Sequence, residues 1–138
     1  MKNFGLLVFT LVNLAFLGGP RSSASDFEYS DSCPVPDPSI CIDWVCSNLR
    51  PFDCDDENEV FEVLAACRMN YGSDCVEEAA SRLSAIDRRN RAKLVQVADS
   101  CQTQPNGDCI AHICARIGDR NCDDLSEVLT VSRRCRGF

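Results

Sequence analysis

Histidine is nearly absent: the chain has one, His112, in 138 residues, and no Cys-x2-Cys pair. That combination argues against a zinc site, because structural zinc needs four closely spaced Cys or His ligands. Gly-x-Ser-x-Gly, His-Glu-x-x-His and the glycine-rich phosphate loop are also missing, so the common hydrolase, metalloprotease and nucleotide signatures are absent. His112 is read as packing rather than as a general base, because the residue it aligns with in the repeat described below is Trp44. The expectation is a non-enzyme with no cofactor and no metal. No Asn-x-Ser/Thr sequon occurs, so N-glycosylation is not expected. Beyond residue 17 no apolar run approaches the length of a membrane span. The formal net charge of −7 argues against binding nucleic acid or an anionic membrane.

What is present begins with a secretory pattern. Lys2 precedes an apolar run from Phe4 to Leu17; Gly18-Gly19-Pro20 breaks it, and Ser22-Ser23-Ala24 offers small residues for cleavage. Residues 1–24 are read as a signal peptide, too short and wrongly flanked to span a membrane. All 11 cysteines follow it. In an exported chain that density means disulfides rather than metal thiolates, and the protein is expected to be secreted. Charge is uneven: residues 26–87 hold 15 acids and three bases, residues 88–138 six acids and nine bases.

The cysteines repeat. Cys41 to Cys67 (CIDWVCSNLRPFDCDDENEVFEVLAAC) returns without a gap as Cys109 to Cys135 (CIAHICARIGDRNCDDLSEVLTVSRRC), and Asp31-Ser32-Cys33 returns as Asp99-Ser100-Cys101. Over positions 31–68 the copies share five cysteines, and also Ile42/Ile110, Asp55-Asp56/Asp123-Asp124, Glu59/Glu127, Val60/Val128, Val63/Val131 and Arg68/Arg136. Such a match points to a tandem repeat. The fold expected is all-α and disulfide-rich: a tandem repeat of two helical hairpins joined by a helical connector. Residues 25–75 form the first cysteine-rich repeat with its proline-rich arm, 76–98 the connector, and 99–138 the second repeat.

In each repeat helix A starts near Cys41 or Cys109, stopped by Pro51 or Gly118. Pro34, Pro36 and Pro38 keep the preceding arm out of helix. Helix B begins at Asp55-Asp56 or Asp123-Asp124. Asp56 with Glu59, and Asp124 with Glu127, have capping-box spacing. Val60, Phe61, Val63, Leu64 and Cys67 are expected to line one broad apolar face. In the connector Val76, Ala80, Leu83, Leu94, Val97 and Cys101 keep a seam that Asp87 to Arg91 interrupts. Cys41 and Cys46 lie roughly 140° apart around a helix and therefore bond different partners. A natural choice joins helix A to helix B, as in Cys46–Cys67 and Cys114–Cys135. Six cysteines allow 15 connectivities, so the map stays open.

Candidate sites are few. The first copy holds Cys33, Cys41, Cys46, Cys54, Cys67 and Cys75; the second holds Cys101, Cys109, Cys114, Cys122 and Cys135. The odd count suggests a disulfide-linked homodimer, or else a bridge across the copies that leaves a buried free thiol. Arg88-Arg89 resembles a dibasic processing site, weighed against a solvated helix face. The acids from Asp53 to Glu59 lack the glycine and spaced glutamate of an EF-hand and are assigned to helix capping. Trp44, Arg50, Phe52 and Tyr71 are the expected contact residues for an extracellular receptor or target.

Cys33 to Cys54, with the Cys-x4-Cys step at Cys41/Cys46 and Cys54-Asp55 after it, resembles the stanniocalcin hormones. So does the order of polar, apolar and cysteine positions from Asp87 to Cys101 (DRRNRAKLVQVADSC). The chain departs from that family in its shorter length, its longer Cys46-to-Cys54 gap, its lack of a sequon and its internal repeat. The resemblance implies an extracellular hormone-like factor with an ion-handling role, and no binding residue is carried across. The functions expected are a secreted signalling polypeptide of hormone or neuropeptide-precursor type, or a secreted binding module such as a toxin or inhibitor.

Overall fold

Asp37, Asp56, Asn90 and Asp124 each place a side-chain oxygen where an opening helix has unpaired amides. They accept from the backbone N–H of Ser39, Glu59, Lys93 and Glu127 at 2.9–3.2 Å. These caps start four of the six helices in a computed structural model that describes residues 35–104 and 106–136. The helices are α1 (Pro38–Asn48), α2 (Glu57–Cys67), α3 (Asp74–Ser81), α4 (Arg91–Ser100), α5 (Asp108–Ile117) and α6 (Leu125–Cys135). No strand forms among the described residues. Short 3-10 turns at Asp87–Arg89 and Asp119–Asn121 precede α4 and α6. Gly118 ends α5 at φ 88°, the left-handed region that glycine enters freely.

Successive helices pair as hairpins: α1 with α2, α3 with α4, and α5 with α6. The odd-numbered helix and its partner run antiparallel, so the first turn of one faces the last turn of the other. Cys41–Cys67, Cys75–Cys101 and Cys109–Cys135 tie those ends, each with a sequence separation of 26. Cys46–Cys54 and Cys114–Cys122 staple the α1–α2 and α5–α6 loops, each with a separation of 8. The Cα atoms of all five pairs lie 5.6–5.8 Å apart, within the normal disulfide range. The expected Cys46–Cys67 and Cys114–Cys135 pairs are therefore corrected. Cys46 lies near the loop end of α1, whereas Cys67 ends α2 beside the opening turn of α1, where Cys41 stands.

Residues 76–98 are helical on both sides of an exposed joint. With Cys75 and Cys101 they make a middle hairpin of the same plan as the other two. The hairpins follow one another at an even interval, half the offset at which the two copies of the repeat align. Cys41, Cys75, Cys109 and Cys67, Cys101, Cys135 are evenly spaced, and so are the caps Asp56, Asn90 and Asp124. Packing runs chiefly between neighbours, α2 on α4 and α4 on α6, with α3 on α5. This is the stacking of a short helical solenoid. The whole connector seam is buried, from Val76, Ala80, Leu94, Val97 and Cys101 at 0% to Leu83 at 3% exposure.

Phe61 and Leu64 depart from the expected buried face, at 54% and 38% exposure. Ala98 and Ser132, which occupy the place of Leu64 in α4 and α6, are fully buried. α4 and α6 each pack against the even-numbered helix before them, a neighbour that α2 lacks among the described residues. The arm also ends sooner than expected. Pro38 is the first residue of α1, where its missing N–H costs nothing and its fixed φ suits a helix.

Two buried amides join the hairpins at equivalent places. Asn70 Nδ2 donates to Ala98 O at 3.1 Å and to Cys41 Sγ at 3.1 Å. Gln104 Nε2, one hairpin interval on, donates to Ser132 O at 3.0 Å and Ser100 O at 2.9 Å. Asn70→Ala removes this tie between hairpins while Ala98 O keeps the Cys101 N–H at 3.2 Å, so a loss of about 0.5–1.5 kcal/mol in unfolding free energy is expected. A urea midpoint unchanged from wild type would refute that role.

Candidate functional site

The loops joining α1 to α2 and α3 to α4 lie side by side and leave an open groove of about 630 Å³. Arg50 and Asp53 line it from the first loop, Ile86 and Arg89 from the second, and Asn90 and Arg91 from the start of α4. Three guanidinium groups thus face one carboxylate on a chain whose net charge is negative.

Most of these charges are already paired. Arg50 grips Asp53 with two hydrogen bonds, Nε to Oδ2 at 2.8 Å and Nη2 to Oδ1 at 3.1 Å. Its guanidinium carbon also stands 4.8 Å from the centroid of the Phe52 ring, a cation–π distance. Arg91 pairs with Glu59 and, at 3.4 Å, with Glu62, tying α4 to α2. Lys93 pairs with Asp87. Arg88 and Arg89 are exposed and in no ion pair among the described residues.

Of the four expected contact residues, the structure brings two together, both exposed: Arg50, which lines the groove, and Phe52, whose ring it covers. Trp44 and Tyr71 are half-buried instead. Trp44 packs against the core, because α1 turns its face toward α2. His112 is likewise corrected, since it is exposed on α5 rather than packed. Arg88 and Arg89 fall in the 3-10 turn rather than on a helix face. Ile86, 82% exposed beside them, was not singled out by periodicity because it belongs to no helical stripe.

The carboxylates of Asp55, Asp56 and Glu59 lie within 4.8 Å of one another. Asp56 is engaged in capping α2 and Glu59 in the pair with Arg91, so structural roles account for two of the three. All ten cysteines in the described residues are bridged. Cys33, and the proposed signal peptide, lie outside the described residues. Cys75 of the first copy bonds Cys101 of the second, across the joint. No family model, curated protein or solved structure matches the chain. No helix among the described residues is long and apolar enough to cross a membrane.

Three carboxyls are held below their usual range: Asp53 chiefly by the hydrogen bond from Arg50, Asp87 by that from Lys93, and Asp124 by the backbone N–H of Glu127. A carboxyl whose folded pKa is depressed favours the fold above its unfolded pKa and loses that benefit as pH falls through the folded value. Stability should therefore hold from neutral pH to about 5 and decline below about 4. Denaturation midpoints across that range test the sign, and a chain more stable in acid would refute it.

Proposed function

We propose that the chain is a secreted signalling polypeptide that acts on an extracellular protein receptor, with cleavage at Arg88-Arg89 as its maturation step. The observation that carries this reading is the free, exposed dibasic pair in a 3-10 turn of an otherwise densely bridged helical scaffold. Five disulfides suit an oxidising compartment, and the apolar leader and the stanniocalcin resemblance point the same way. A second reading, a secreted binding module of toxin or inhibitor type, is favoured by the exposed Arg50–Phe52 pair, whose arginine lines the groove. Arginine and aromatic side chains are enriched at binding hot spots.

The odd cysteine extends the proposal to a disulfide-linked homodimer. With the ten described cysteines paired to one another, an intermolecular bond falls to Cys33. The test is expression of the full chain in secretory cells, with intact mass measured on the medium with and without reductant. Loss of residues 1–24, a dimer that reduction resolves into monomers or, once cut at Arg88-Arg89, into the two chains of each, and a Cys33→Ser variant secreted without the dimer are the expected results. A wild-type monomer would rule out the dimer, and retention inside the cell would rule out secretion. A secreted chain uncut at Arg88-Arg89 in endocrine or neuronal cells would overturn the maturation step and favour the binding-module reading.

A further inference from the structure

We propose that the turn between α3 and α4 is the opening site of the fold, and that cutting it yields a two-chain protein held by Cys75–Cys101 rather than two released peptides. This deepens the maturation step proposed above and rests on it for its biological setting.

The three hairpins supply an internal comparison. In the first and third, the loop between the helices is closed by a short bridge, Cys46–Cys54 and Cys114–Cys122. In the middle hairpin the positions equivalent to those cysteines, midway between the first pair and the third, are Ala80 and Arg88. One staple is missing, and the dibasic pair begins where its second cysteine would stand. An endoprotease must draw several residues of its substrate into extended conformation. A bridge closing so short a loop resists that, whereas the middle turn is held only by short-range contacts. Those are Arg88 N–H to Ser84 O at 3.0 Å, Asp87 N–H to Ser84 Oγ at 3.2 Å, Arg89 N–H to Ile86 O at 3.2 Å, Asn90 N–H to Asp87 O at 3.1 Å and the Asp87–Lys93 pair. Exposed turns with few buried contacts are the segments that open locally at low cost.

Hydrolysis of the Arg89–Asn90 bond consumes one water and leaves a carboxylate on Arg89 and an amine on Asn90. Two described bridges lie wholly before that bond and two wholly after it; Cys75–Cys101 alone spans it. Contacts of α1, α2 and α3 with α4, and of α3 with α5 and α6, also cross the cut and hold the stack. Opening would free the rim of the groove around Ile86 and Arg89 while the helices stay stacked.

Limited trypsinolysis of the purified, oxidised protein tests this without any cellular protease. Arg120, exposed in the stapled α5–α6 loop, serves as the built-in control. The first cut is expected after Arg88 or Arg89, with the unreduced mass rising by one water and two chains separating only on reduction. Ala80→Cys with Arg88→Cys installs the missing staple and keeps the Arg89–Asn90 bond. Once mass confirms the new bridge, cleavage there should slow by at least about tenfold, with Arg120 unaffected. First cleavage at Arg68, Arg116 or Arg120 would overturn the proposal. So would halves that part without reductant, or a stapled variant cut at the wild-type rate. A trypsin result as expected alongside an uncut natural chain would overturn the maturation reading alone.

Discussion

Reduction of the five disulfides should unfold the chain at room temperature, read as loss of helical circular dichroism and of a cooperative melt. The helices are 8 to 11 residues long, below the length at which isolated helices persist in water. Cysteines also make up much of what is buried. Cys41, Cys67, Cys75, Cys101, Cys114, Cys122 and Cys135 are all 4% exposed or less, while no phenylalanine or tryptophan of the described residues is fully buried. A bridge with a sequence separation of 26 contributes about 3.5 kcal/mol by the loop-entropy relation, and one with a separation of 8 about 2.5 kcal/mol. A domain of this size is stable by roughly 5–15 kcal/mol in all. Cys41→Ser with Cys67→Ser should therefore cost more than Cys46→Ser with Cys54→Ser, by about 1 kcal/mol from chain entropy. A fully reduced protein that still melts cooperatively would show that packing alone sustains the stack.

How much of this was legible follows from which signals each hairpin carries. The capping acids Asp56 and Asp124, the stop at Gly118 and the connector seam read directly from the sequence, because each is a local rule acting over a few residues. The hairpin interval was present in the even spacing of Cys33, Cys67, Cys101 and Cys135. It was masked because the middle hairpin replaces two cysteines with Ala80 and Arg88, so the chain aligns best with itself at twice that interval. The disulfide partners were not legible from helical angles, since the antiparallel pairing of helices, not the rotation of Cys41 relative to Cys46, decides which ends meet. Burial of Phe61 and Leu64 could not be read from periodicity either. Both lie on the correct stripe for a stacked helix, but α2 is the first even-numbered helix of the described stack. As for the candidate site, Arg50, Phe52 and the dibasic pair were singled out by residue type alone. That Arg50 and Arg89 line one groove required the loops to be seen side by side.

Leu94→Ala should be the costliest single truncation outside the cysteines. Leu94 is fully buried in the first turn of α4, and α4 packs against α1, α2, α3 and α6. The helices around it are stapled, which limits how far they can close over the space a smaller side chain leaves. Truncation of a buried leucine costs about 2–5 kcal/mol, more where the cavity cannot collapse, so the upper half of that range is expected. Leu64→Ala supplies the contrast: the same chemical change on α2, at a residue 38% exposed, should cost under about 1.5 kcal/mol because less area leaves water there. Urea denaturation of the two variants side by side measures the difference directly. If Leu64→Ala proved as costly as Leu94→Ala, something must cover the outer face of α2 in solution. If both were mild, α4 would not be the centre of the stack.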